Sequence, residues 1–240
     1  MKRSTFAPNY CILWVTSRNF DYLFNKGGTR MIHKKTYYSR ELEFEGRTLL
    51  LEGPISGKKI HEYDFHEGLN AFRIPEEQKK ALIGIADLPE GRVNVVVDEN
   101  TIVGYVTFVY PDTLERWSEA NLDNLIELGA IEVAREYRGA KLGSNLLRFS
   151  MLDDAMEDYI IITTEYYWHW DLKGTGLSVW EYRDMMEKMM NAGGLEYMAT
   201  DDPEISSHPA NCLMVRIGKR VDNESILRFD NVRLSNRYLY

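Results

Sequence analysis

Apolar positions along the chain switch between a period of two and a period near three and a half, and each switch marks an element. The first clear run, "RTLLLEGPISG", reads as a strand that stops at Gly53-Pro54, punctuation that ends pairing. "IPEEQKKALIGIADL" moves to helical spacing. Ala81, Leu82 and Ile85 share a stripe, Pro75 fits the first turn, and Glu76 and Glu77 lie near the positive end of the helix dipole. "RVNVVVDENTIVGYVTFVY" returns to β-branched and aromatic runs on either side of Asp98-Glu99-Asn100, which predicts an antiparallel hairpin.

"LIELGAIEVA" is a further strand, and "EVAREYRGAKLGSNLL" leads out of it into a predicted helix over "LGSNLLRFSMLDDAMEDY", with Leu146, Leu147, Phe149 and Met151 among its core positions. "YIIITTEYY" is apolar on both faces at 160–162 and so belongs at the centre of a sheet. A second helix, "SVWEYRDMMEKMMNAGG", starts at the capping residue Ser178 and stops at Gly193-Gly194. A short strand "LEYMAT", an acidic loop "DDPEISSHPANC", a strand "LMVRIG" and a helix over 224–233 complete the chain. A hairpin beside crossover helices predicts an α+β (mixed α/β) sheet with helices on its faces.

Composition narrows the class. The 240 residues suffice for one well-buried domain, and 44% hydrophobic residues is ordinary for a globular protein. A formal net charge of -8 argues against nucleic-acid binding through the overall field, which needs clustered Lys and Arg. Cys11 and Cys212 lie far apart, with no metal-binding spacing, so neither a disulfide framework nor a metal site is expected and a reducing cytoplasm is the expected location. No apolar stretch approaches the ~20 residues that span a bilayer, so no membrane association is expected.

The charge is unevenly spread. Residues 1–30 hold five basic residues against Asp21 alone, net +4, which leaves -12 for 31–240. Residues 1–30 are expected to be an N-terminal extension outside the fold, with the domain over 31–240. "NKGGTRM" also permits the codons of a bacterial ribosome-binding site ahead of Met31. Translation is therefore expected to start at Met31, with 1–30 as upstream sequence read in frame.

The candidate chemistry lies between the strand ending at Val133 and the helix beginning near Leu142. A strand running into a glycine-containing loop that opens a helix aims backbone N–H groups, at the positive end of the helix dipole, toward an anion such as a diphosphate. Val133 ends the strand, Arg138 and Gly139 form the loop, Gly143 lets the backbone approach a ligand, and Ser144 offers a hydroxyl. "RGAKLG" is neither a Walker loop nor the G-x-G-x-x-G dinucleotide fingerprint.

It resembles the R/Q-x-x-G-x-G/A motif of the GNAT superfamily of N-acetyltransferases, with Arg138 first, Lys141 in place of the inner glycine, and Gly143 last. More specifically, "FRIPEEQKKALIGIADLPEGR", "YPDTLERWSEANLDNLIELGAIEV", "YIIITTEYYWHWDLKG" and "ATDDPEISSHPANCLMVRIGK" look like the acetoin utilization protein AcuA family, over essentially 31–240. The resemblance implies a GNAT acyl-CoA N-acyltransferase fold, with a central, mostly antiparallel sheet, a splayed parallel strand pair holding acetyl-CoA, and flanking helices. It also implies a protein lysine acetyltransferase that inactivates acetyl-CoA synthetase, its protein partner. The alternatives are an acetyl-CoA-binding module that inhibits the synthetase by docking, and a small-amine acetyltransferase.

Removing a proton from a lysine ammonium, whose pKa is about 10.4, needs a base. Glu127, at the offset from Arg138 where many superfamily members keep a catalytic glutamate, Glu132 and Glu165 are the candidates. The pyrophosphate of acetyl-CoA is expected on amides of Arg138, Gly139, Ala140, Lys141, Leu142, Gly143 and Ser144, with the oxyanion near Ile131 and Val133 closing the strand. Many relatives place a tyrosine acid four residues before the glycine that ends the second large helix; here that position is Met189, which leaves Tyr166 or Tyr182 as substitutes, or departure of coenzyme A as a thiolate without a specific acid. Unless its φ is positive, Lys141 bears its side chain at little cost, and its ammonium is expected opposite the phosphates. "EYYWHWDLKG" is either an aromatic recognition surface or core packing, and Asp201, Asp202 and Glu204 are either contacts for a basic patch around the target lysine or a solvated turn.

Overall fold

The computed structural model describes residues 31–138 and 141–235; the expected extension over 1–30, and Gly139 and Ala140 of the loop, lie outside the described residues. Nine strands form one sheet in the order β1 (Tyr38–Phe44), β2 (Arg47–Gly53), β4 (Arg92–Asp98), β5 (Thr101–Val109), β6 (Leu125–Val133), β7 (Ile160–Glu165), β9 (Cys212–Ile217) and β8 (Glu196–Met198). The two-residue β3 (Asp64–Phe65) joins β5 off this path. Every pairing is antiparallel except β6 with β7 and the short β3 with β5. The mixed, mostly antiparallel sheet with one splayed parallel pair is therefore present.

The hairpin forms where the alternation predicts it, with Asp98 facing Thr101 across a turn that holds Glu99 at φ 53. Helix α1 (Gly57–Glu62) and strands β1 and β3 carry too little periodicity to be read from sequence. Helix α2 (Pro75–Ala86) starts at the proline as expected, and α5 (Val179–Asn191) begins with a complete capping box in which Ser178 and Glu181 satisfy each other's backbone amides.

The helix expected over 142–159 is two elements. Helix α3 (Leu142–Ser150) ends early, and a separate 3-10 turn covers Asp154–Asp158. The break is Asp153, which is buried. One of its oxygens caps the turn at Ala155 N–H (3.1 Å), while the other accepts Thr36 N–H (3.2 Å) and lies 3.8 Å from the Arg92 guanidinium. A local aspartate cap combined with long-range partners outcompetes one more helical turn. Two short helices also fall outside the predicted elements: α4 (Leu172–Thr175) precedes α5, and α6 (Pro203–Ser206), capped by Asp202, lies within the acidic loop over 201–212.

Two apolar clusters support the sheet. The larger one joins β1–β6 to α2 and α3 through Leu82, Val95, Tyr105, Leu146 and Leu147. The smaller one lies under α7 (Asn223–Arg233), where the fully buried Phe229 meets Trp117, Leu125, Ile160 and Ile162. β6 therefore carries different neighbours on its two faces.

Candidate active site

The cleft originates in an irregularity of β6. Thr107 faces Ala130 and Phe108 faces Leu128, so Gly129 has no partner and forms a β-bulge. The extra residue bends the strand and sharpens its twist. On the other edge, β6 pairs with β7 only at Leu125–Ile160, Ile126–Ile161 and Glu127–Ile162, although the strands run on to Val133 and Glu165. Past Glu127 the two strands part. Ile131 and Val133 lie beyond the last paired register and are partly exposed.

The bulge also fixes which side chains share a face. Ile131 points to α3, with Cδ1 3.9 Å from where a Cβ on Gly143 would stand. Side chains alternate along a strand, so Glu132 points to the opposite face, where the chain before α2 meets it. Counting across the bulge, Glu127 lies on the face of Glu132, beside the smaller cluster that contains Leu125.

Below the cleft, a 3-10 turn (Arg135–Tyr137) carries the chain to Arg138. Arg138 Nε donates to Val133 O (3.3 Å), and Arg138 and Arg135 both reach Asp171 (3.4 and 3.3 Å). Burial alone would raise the Asp171 carboxyl, but the Gly174 N–H bond and these two guanidiniums hold it below its ordinary range. Helix α3 opens without a side-chain cap, so the first-turn amides at Leu142, Gly143 and Ser144 are left for a ligand, and Arg138 and Lys141 flank them. That donor set fits the phosphates of acetyl-CoA.

Two features of this loop bear on those expectations. Gly143 does not face open space: a Cβ there would lie 2.6 Å from Met189 Sδ, so the glycine admits Met189 of α5, the residue standing at the tyrosine position of many relatives. Lys141 has φ 56 and ψ 35, the left-handed conformation, and its side chain is therefore not free of cost. Lys141→Gly is expected to raise stability by about 1 kcal/mol, read as a higher urea midpoint. The same variant is expected to bind acetyl-CoA more weakly and with a shallower salt dependence. Unchanged affinity and salt dependence would show that the loop works through its backbone alone.

The three candidate carboxylates have different surroundings. Glu132 is 6% exposed and fully engaged: Tyr105 O–H donates to one oxygen (2.7 Å) and Ala71 N–H to the other (2.8 Å). Glu127 is also 6% exposed, but its Oε2 is buried without a hydrogen-bond partner. Burial first, then the charges of Glu115 and Asp112, push its carboxyl well above the usual carboxylate range. Glu165 accepts Trp170 Nε1–H (3.1 Å), and burial pushes its carboxyl up to about 7. Glu115, which no periodicity singles out, is pushed to about 7 by burial and then by Asp112, Glu204 and Asp202.

These raised values predict a pH effect on stability. Between the ordinary value near 4.5 and about 7, folded Glu115 and Glu165 keep protons that the unfolded chain has released. The unfolded state then binds fewer protons, so this contribution is complete below the ordinary value and lost as pH rises through about 7. Thermal midpoints are expected to fall by a few degrees from pH 5 to 8, and Glu165→Gln should flatten the slope.

The aromatic run packs in part and is exposed in part. Trp170 stacks on Tyr182 (centroids 5.1 Å apart) and holds Glu165, whereas Trp168 is 43% exposed and stacks on Tyr166 (4.9 Å). Trp180 is 55% exposed near His208. Asp201 and Asp202 both pair with Arg116 (2.8 and 3.5 Å), and Glu204 is exposed. Among the described residues, no group of three or more His, Cys, Asp or Glu could hold a metal ion, and no helix is long and apolar enough to cross a membrane.

A splayed parallel pair after a bulge, opening beside an uncapped helix N-terminus, is the GNAT fold, and residues 61–170 match the Acetyltransferase (GNAT) family, which supports the class of acetyl-CoA-dependent N-acetyltransferases. The chain is 65% identical over 210 residues to the acetoin utilization protein AcuA of Bacillus licheniformis and 61% identical to that of Bacillus subtilis, covering 88% of this chain and 100% of each relative. It therefore belongs to the AcuA family. The crystal structure of an acetoin utilization protein from Exiguobacterium sibiricum superimposes with a TM-score of 0.83 at 56% identity, covering 86% of this chain and 98% of that one.

Proposed function

We propose that the protein transfers the acetyl group of acetyl-CoA to a lysine of acetyl-CoA synthetase and thereby inactivates it, a control step in acetoin and acetate utilisation. The supporting observation is Glu127: a buried carboxylate with an unpartnered oxygen, at the register where β6 and β7 part. The relatives' names, acetoin utilization protein, support the metabolic setting.

Ionised Glu127 takes a proton from the lysine ammonium, directly or through a water. The freed nitrogen lone pair forms the C–N bond to the thioester carbonyl carbon, and the resulting oxyanion is held by a strand amide near Ile131. The C–S bond breaks with its electron pair on sulfur, and the nitrogen's surplus proton ends on the thiolate. Tyr166 and Tyr182 are the acids near the cleft for that last transfer; burial raises both phenols above their ordinary value, which keeps them protonated. The products are the acetylated lysine, the thiol and one proton returned by Glu127 to solvent. Arg138, Lys141 and the amides of Leu142, Gly143 and Ser144 hold the coenzyme's phosphates, and Val133 closes the strand side.

Incubation with labelled acetyl-CoA and purified acetyl-CoA synthetase, followed by peptide mass spectrometry, is expected to reveal one acetylated lysine and a matching loss of synthetase activity. Inhibition without label on the protein would instead mean control by docking, and label on polyamines alone would mean a small-amine acetyltransferase.

A further inference from the structure

Glu127 is not the only carboxylate in this region without a partner. Glu115, on the segment between β5 and the 3-10 turn Arg116–Ala120, also buries an Oε2 that has no hydrogen-bond partner. The two glutamates feel each other's charge, and Asp112 acts on both. The neighbouring cation does not relieve them. Arg116 turns away to Asp201, Asp202 and the Ser235 hydroxyl, and its guanidinium lies over the Trp117 ring (5.9 Å). From the other elements, Glu204 and the Arg116-paired Asp202 add negative charge, and after burial the charges of Glu204, Asp202 and Glu115 also raise the Tyr166 phenol. Two buried carboxylate oxygens without hydrogen-bond partners, beside an arginine already committed to Asp201 and Asp202, form an arrangement that an incoming cation would stabilise.

We propose that Glu115, assisted by Asp112, binds the ammonium of the acceptor beside Glu127, so that the site selects a cationic primary alkylamine such as a lysine side chain. This rests on Glu127 acting as the base. An ammonium offers three N–H donors and a positive charge, which supply the partners that both Oε2 atoms lack. When the N–H bond breaks, the proton goes to Glu127 and the electron pair stays on nitrogen, while Glu115 remains to orient the amine. Acetylation then replaces a cation with a neutral amide. The charge-assisted bond to Glu115 disappears with the charge, which favours product release.

The test uses the full chain and n-butylammonium chloride, followed by carbon NMR of glutamate carboxyls and by calorimetry. The Glu115 and Glu127 resonances are expected to move together to saturation, n-butanol to have no effect, and Glu115→Gln to weaken binding about tenfold or more. With acetyl-CoA synthetase as acceptor, the same variant is expected to raise the acceptor KM by about tenfold or more and leave the KM for acetyl-CoA unchanged. Glutamine is isosteric and removes a buried unpaired carboxylate, so the variant should fold. Equal n-butylammonium affinity in wild type and Glu115→Gln would overturn the inference. Normal n-butylammonium binding without acetylation of the synthetase would support this subsite and overturn the proposed target.

Discussion

Glu127→Gln is expected to lower kcat by about 10²–10⁴-fold, the usual contribution of a positioned general base, while leaving the affinity for acetyl-CoA intact. Glutamine preserves shape and cannot take the proton. In the wild type, kcat/KM should rise with pH through the raised Glu127 value, because the base must first lose the proton that burial and the charges of Glu115 and Asp112 retain on it. The variant should lose that limb. It should also be more stable than wild type at pH 8, since an unpaired buried carboxylate costs free energy that a neutral amide costs less. A kcat within about threefold of wild type, far below a base's usual contribution, would remove Glu127 from the chemistry.

Glu132→Ala is expected to cost about 1–3 kcal/mol of stability, because it strands the buried Tyr105 hydroxyl, while water can reach the Ala71 amide once its part-buried bond is lost. The Tyr105 hydroxyl is wholly enclosed, and the Ala71 amide is the tie that holds the chain before α2 against β6. Urea unfolding should show a lower midpoint, and hydrogen exchange should increase at Ala71. Folded Glu132→Gln, which keeps an acceptor, is expected to retain most of kcat. If the unfolding midpoint of Glu132→Ala matches wild type while kcat collapses, the roles given to Glu127 and Glu132 must be exchanged.

The contrast between these glutamates shows where sequence-based reasoning stops. Both lie in "LIELGAIEV", five positions apart, and simple alternation would put them on opposite faces. The bulge at Gly129 brings them to one face, and the signal for it was an isolated glycine within a strand pattern. What then separates them is partners 27 and 61 residues away, Tyr105 and Ala71, which no local pattern specifies. Glu115 is similar. It sits in an aperiodic stretch, and its role comes from a buried oxygen without a hydrogen-bond partner and a charge that acts on Glu127. Lys141 differs in kind: the family motif has glycine there, and the left-handed φ is the physical reason.

From the sequence alone came the elements with strong local periodicity: the hairpin, the central strand at 160–162, the capped helix at Ser178 and the strand-loop-helix order of the proposed coenzyme site. Periodicity reports which side chains must be buried together, so it survives without knowledge of the fold. Tertiary structure decided the end of α3 at Asp153, the parting of β6 from β7, the Met189 contact that requires glycine at 143, and the hydrogen-bond partners of each carboxylate. Those depend on whether a polar atom removed from water finds a partner, and in this chain the partners come from segments distant in sequence.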